Sequence, residues 1–196
     1  MIDDFLSNFK DGVYHVLHLN AYDHLLFLVV LAVPYLFKDW KRVLLLVSVF
    51  TLGHCVSLIL TTYNIITINV KFIEFLILIT ILIIGLFNVF TAGKKSHGNK
   101  VGLLFFVTLF FGLIHGFGFS STFETLVSAS ESKLLAIIEI GLGIEVGQLV
   151  VAILIIFLSF ICQTLFRFSK RDWVMVMSAI VVGFVLPMLI KSELLS

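Results

Sequence analysis

The chain has 196 residues, of which 60% are hydrophobic and 13% charged, and its net charge is +1. Mean hydropathy is +1.17. That balance excludes a soluble globular domain, offers nothing for nucleic acid to bind, and leaves no length for a soluble domain beside a set of membrane spans.

The first stretch sets Ile2, Phe5, Leu6, Phe9, Val13, Val16 and Leu17 at helical spacing, with Asp3, Asp4, Lys10 and Asp11 between them. It lacks the basic start and apolar run of a signal peptide. Residues 1–17 therefore read as an amphipathic interfacial helix, lying on the membrane surface or capping a bundle, with His15 an interfacial residue. Residues 18–196 read as one all-α domain, a polytopic bundle of six transmembrane helices at about 20–37, 43–62, 70–92, 101–119, 134–166 and 173–190. Each is near the roughly 20 apolar residues a crossing needs. The fifth is too long for one straight crossing and must tilt or protrude.

Short connections make neighbouring spans antiparallel, and lysine and arginine then orient them. Lys38, Lys41, Arg42, Lys94, Lys95, Lys100, Arg167, Lys170 and Arg171 lie on one side, against Lys10, Lys71, Lys133 and Lys191 on the other. Nine against four puts loops 38–42, 93–100 and 167–172 in the cytoplasm and both termini outside, with the chain multi-pass.

Ionisable groups inside these spans cost roughly 2.5–3.5 kcal/mol each at a helix centre. With the orientation above, Asp23 and His24 open the first span, Glu74 lies near the outer start of the third, and His115 lies in the outer half of the fourth. Glu139 is within about two turns of the outer edge of the fifth, while His54 and Glu145 lie roughly 12–17 Å deep. Thr51, His54, Ser57 and Thr61 form one helical stripe, and Gly141, Glu145 and Gln148 another. Such faces turn inward, because lipid offers them no partner. Gly143-x-x-x-Gly147 fits close helix packing. Imidazole with carboxylate is the ligand set of a divalent transition metal. His24, His54 and His115 are the expected imidazole ligands, and Asp23 a ligand or the acceptor that sets the tautomer of a ligand. His18 joins them if the chain bends near Asn20 or the helix starts there. Glu145, Gln148, Glu74, Glu139 and Ser57 would steady the ligands or line a path. Cys55 and Cys162 read as small buried hydrophobes. Phe50-Thr-Leu-Gly-His54 and Phe111-Gly-Leu-Ile-His115 share the pattern F-x-L-x-H, as a duplicated two-helix unit would.

His18-x4-Asp23-His24, Phe50-Thr-Leu-Gly-His54-Cys-Val-Ser, Phe111-Gly-Leu-Ile-His115-Gly-Phe-Gly-Phe and Gly143-Ile-Glu145-Val-Gly-Gln148 together resemble the HupE/UreJ family of bacterial membrane proteins and, more distantly, the nickel/cobalt permeases. The resemblance spans roughly residues 15–150. It implies nickel or cobalt uptake linked to maturation of a metalloenzyme, with an accessory maturation partner or a homo-oligomer. The family's histidine-glycine motif carries another His before its main His and an acid after it; Phe111 and Gly118 stand there. The expected function is a nickel/cobalt-type permease whose partners are the metal ion and membrane lipid. The alternatives are an intramembrane zinc-dependent hydrolase, with Ser120, Ser121 and Glu124 on an outer loop near its substrate, or a metal-binding sensor or assembly protein.

Overall fold

A computed structural model describes residues 2–18, 22–94, 101–127 and 132–194. Asn20, where a bend was expected, and Lys95, Ser96, His97 and Lys100 of the expected cytoplasmic loop lie outside the described residues. The described residues form α1 (Ile2–Leu17), α2 (Tyr22–Ala32), α3 (Trp40–Thr62), α4 (Val70–Thr91), α5 (Val101–Leu126), α6 (Lys133–Thr164) and α7 (Lys170–Ile190), with a 3-10 turn at Phe37–Asp39 leading into α3. Local chemistry sets several boundaries. Pro34 disfavours helix in the residue before it, and α2 stops at Ala32. The Asn69 side chain accepts from the Phe72 amide at the start of α4, and Ser169 accepts from the Asp172 amide at the start of α7.

Five helices, α3 to α7, are long and apolar enough to cross a membrane, and α1 with α2 reaches that standard as a pair bent by 73°. The protein is an all-helical, polytopic membrane bundle. The first span differs from expectation. α2 has 11 residues, about 16 Å of helix, against a hydrocarbon core of about 30 Å. Asn8 meets Glu139, Gly12 meets Gly143, and Val16 meets Gly147, so α1 runs parallel to α6 and against it. These contacts attach α1 to the bundle. The apolar stripe of α1 is split, with Val16 buried and its first residues outside. Ile2, Phe5 and Leu6 are exposed, while Asn8, Gly12 and Val16 are buried. Inside a membrane the apolar side chains suit lipid, and the small and polar ones must find protein.

The tightest interface joins α3 and α5. A Cβ on Gly53 would strike the Leu109 carbonyl oxygen, and one on Gly112 would strike the Phe50 carbonyl oxygen. A Cβ on Gly116 would meet the Ser57 hydroxyl and the His54 backbone. These contacts advance together along both helices, so α3 and α5 are parallel, with their two F-x-L-x-H segments side by side. α6 crosses α3 antiparallel, with Gly141 against Cys55 and Gln148 beside Thr51. α2 runs alongside α4, and its end is held by the Asn88 amide donating to the Val30 carbonyl at 2.7 Å. The bundle therefore has one end, called upper below, where α1, α4 and α6 begin and α3, α5 and α7 finish. α5 continues seven residues beyond the expected span. Ser120, Ser121 and Glu124 thus belong to its last turns and not to a loop. Without a glycine or proline between Ser120 and Leu126, nothing in the chain stops the helix earlier.

Candidate metal centre

Four helices bring four imidazoles together beneath the upper end. The His24 ring centre lies 4.5 Å from that of His15, 6.2 Å from His54 and 5.5 Å from His115. His15 and His54 are 5.9 Å apart. His54 and His115 are fully buried, and His24 is nearly so. Two imidazole nitrogens on one tetrahedral metal at about 2.1 Å set their ring centres roughly 5 Å apart. The rings therefore gather at the right scale. Among the described residues, no three His, Cys, Asp or Glu side chains already form a group able to hold an ion. Ring proximity and that geometric test differ because the rings meet edge to face, with planes at 75° and 77° in two pairs, so their nitrogens have not turned to one point.

Hydrogen bonding shows which nitrogens are free to do so. His115 Nδ1 lies 2.9 Å from the Phe111 carbonyl oxygen. A carbonyl only accepts, so Nδ1 carries the proton and Nε2 keeps its lone pair. His24 Nδ1 lies 3.2 Å from Asp23 Oδ1, and the same logic leaves its Nε2 as the lone pair. The outward nitrogens of both rings are thus pinned and the inward ones left bare, the arrangement that metal-ligating histidines adopt. Buried and without a partner are Nε2 of His15, His24 and His115, and both ring nitrogens of His54. Buried polar atoms are seldom left so. A cluster of four such rings, each with a bare nitrogen, suits a metal ion whose ligands are neutral imidazoles.

The walls are aromatic. Phe119 packs on His15 at 3.8 Å between ring centres and on His54 at 5.6 Å. Below, Phe27 and Phe50 stack at 4.5 Å and touch His115 at 4.9 and 5.0 Å, and Phe111 closes on Phe27 at 6.4 Å. All three phenylalanines are buried, so this floor is shut. Two open cavities flank the cluster. One, of about 370 Å³, is lined by Asp11, Tyr14, His15, His18, Phe119, Thr122 and Leu126. The other, of about 420 Å³, is lined by residues that include Tyr22, Asp23, Lys71, Glu74, Lys191 and Glu193. At its rim Lys71 and Glu193 pair at 2.7 Å, and the ammonium holds the Glu193 carboxyl below its usual value.

Of the residues expected at a site, His24, His54, His115 and Asp23 come together. His18 sets its ring 5.2 Å from that of Tyr14 and lines the first cavity with His15. Glu74 is exposed in the second cavity beside Lys71. Glu139 is drawn elsewhere, because its carboxylate accepts from the buried Asn8 amide at 2.7 Å. Ser57 donates to the His54 carbonyl at 2.8 Å and holds the α3 backbone beside Gly116. Glu145 accepts from Ser48 at 2.5 Å and Gln148 from Thr51 at 3.1 Å. These pairs join α3 to α6 one and two turns below His54. Cys55 and Cys162 are free thiols, and Cys55 abuts Gly141 on the α6 side of α3.

His15 was not expected here. The legible signal was the spacing of Asn8, Gly12 and His15 by four and three, a polar and small stripe that a lipid-facing helix would not carry. No curated protein matches the chain, and no solved structure does. The polar stripes and paired imidazoles of a compact membrane bundle instead agree with a family match that covers residues 1–192 and is described as HupE / UreJ protein, and the chain belongs to that family.

Proposed function

We propose that this protein is an inner-membrane permease for a divalent transition metal of the nickel/cobalt type, with the ion as its cargo. His24, His54 and His115 would hold the ion, and Asp23 would fix the His24 tautomer. The observation that carries the reading is the set of bare, buried imidazole nitrogens on rings gathered from separate helices. Access runs from the upper, periplasmic end through the two cavities. Thr51 with Gln148, then Ser48 with Glu145, supply polar steps below the imidazoles. The phenylalanine floor between them matches an outward-facing state, since a carrier must be shut on one side while open on the other.

Flux tests this reading. Nickel or cobalt should enter liposomes containing the purified protein, and Glu145→Gln should abolish uptake while leaving metal binding within a few-fold of wild type. Neutralising a deep relay removes the path but not the upper site. Tight binding with no flux by the wild-type protein would defeat the permease. The closed floor would then favour a zinc-dependent hydrolase, or a metal sensor or assembly factor, drawing on the same imidazoles.

The orientation has its own test. In a chain whose Cys55 and Cys162 are replaced by serine, cysteines placed at Ser96 and Ser169 should resist a membrane-impermeant thiol reagent in intact cells and react after lysis. Labelling from outside would invert the topology and put the site on the cytoplasmic side.

A further inference from the structure

We propose that His15, carried by the N-terminal helix α1, is a fourth imidazole ligand of the metal centre, so that metal binding and the docking of α1 on α6 are one coupled event. The proposal rests on the metal-site reading and extends it to a helix that the apolar pattern placed on the membrane surface or as a cap on the bundle.

Three observations support it. The His15 ring is nearer to His24, at 4.5 Å, than any other imidazole of the cluster. Its Nε2 is buried and lacks a partner, as the Nε2 atoms of His24, His54 and His115 do. The helix that carries it is built to reach this place. Gly12 and Gly143 interlock backbone to backbone, with Cβ positions that would strike the Ile140 and Phe9 carbonyl oxygens, and the Asn8 amide is spent on Glu139. Three imidazoles leave one position of a tetrahedral ion open, and a fourth closes it. A four-nitrogen site of this kind is filled without water, which suits a site walled by Phe27, Phe50 and Phe119.

The coupling follows from linkage. If His15 ligates only when α1 is docked, bound metal must favour the docked helix, and undocking must weaken the metal by the same factor. Access and release would then be governed by a short helix held by a glycine seam, not by movement of a whole span. His15 also lines the first cavity, so withdrawing α1 would widen that mouth.

Cobalt(II) titrated into the purified full-length protein in detergent tests this, because its visible absorption is strong when four-coordinate and weakens when water expands the shell. Wild type should show the strong band. His15→Ala should bind at least about tenfold more weakly, the lower bound for losing even a supporting partner of a ligand, and its band should weaken. Gly143→Leu, which removes no imidazole but blocks the seam, should reproduce both changes. Zinc should slow amide exchange in α1 of the wild type and not in His15→Ala. Should His15→Ala fail to fold, His15→Gln carries the same test.

An unchanged band and affinity in His15→Ala would overturn the inference and leave the three-imidazole site standing. Weaker binding with an unaltered band would make His15 a packing residue and overturn it as well. A change in His18→Ala but not in His15→Ala would return the role to His18. Absence of cobalt binding by the wild type would defeat the metal-site reading itself, and this inference with it.

Discussion

His54→Ala is expected to abolish measurable binding of nickel or cobalt by the purified protein, a loss of at least about 100-fold. That lies at the upper end of what removing a mere supporting partner costs. His54 is fully buried, and neither of its ring nitrogens has a hydrogen-bond partner. It stands beside both His15 and His24. The nearby hydroxyls of Ser57 and Thr51 are neutral oxygens, which bind such an ion more weakly than imidazole does. The variant should still insert and fold, since deleting an unpaired ring leaves no polar group newly orphaned. The contrast is read by thermal unfolding. Metal should raise the midpoint of the wild type, because it binds the folded state, and should leave that of His54→Ala unmoved. Wild-type affinity in the variant would place the metal elsewhere.

The second large effect falls on the seam between α3 and α5. Gly112→Ala should destabilise the protein by about 1–3 kcal/mol, the usual range for overpacking, although alanine is favoured over glycine by about 1 kcal/mol in a helix interior. The added methyl would meet the Phe50 carbonyl oxygen, which is backbone on a neighbouring helix and cannot swing aside. Gly112→Leu should prevent the two helices from meeting and remove metal binding too, because His54 and His115 lie one turn beyond that contact. Gly183→Ala is the control. Nothing lies within 4 Å of a Cβ there, so it should leave stability unchanged or slightly raised. Equal thermal stability of Gly112→Ala and Gly183→Ala would show that the seam is looser than its geometry.

Much of the site was legible because lipid enforces a simple rule. A histidine, carboxylate or amide inside an apolar run has no partner outside the protein, so its position on the helical wheel reports which face is internal. That rule brought His24, His54 and His115 together, and it put Thr51, Ser57 and Thr61 on a buried stripe of α3. Gly143-x-x-x-Gly147 was legible for the related reason that glycines in a membrane helix mark close approach, although its partner proved to be α1. The rule says which face turns inward and not which neighbour it meets. Glu139 and Glu145 both turned toward protein, but Glu139 met Asn8 and Glu145 met Ser48.

The N-terminal helix shows where pattern reading stops. Its apolar residues match a surface helix in water as well as they match a bundle helix facing lipid, since hydrophobic periodicity is the same in both. Only the packed chain separates them, through Gly12 against Gly143 and Asn8 against Glu139. The place of His15 beside the other imidazoles was hidden for the same reason, as was that of His18. A three-residue step turns the side chain by about 60°, and which of the two faces the cluster depends on how α1 leans on α6 and on the 73° bend to α2.

By itself the sequence determined the helical class, the positions of the apolar helices after the first break, the one-sided placement of imidazoles and carboxylates, and the resemblance to the HupE/UreJ family. Each follows from local composition and period, which the chain carries wherever it folds. Only the tertiary structure decided that α1 and α2 meet at a bend, that the two F-x-L-x-H segments stand side by side, that phenylalanines pack beneath the imidazoles, and that His15 stands beside His24. These depend on contacts between residues far apart in the chain, and such contacts are set by shape, where two glycines meet or a carboxylate finds an amide, and not by hydrophobicity.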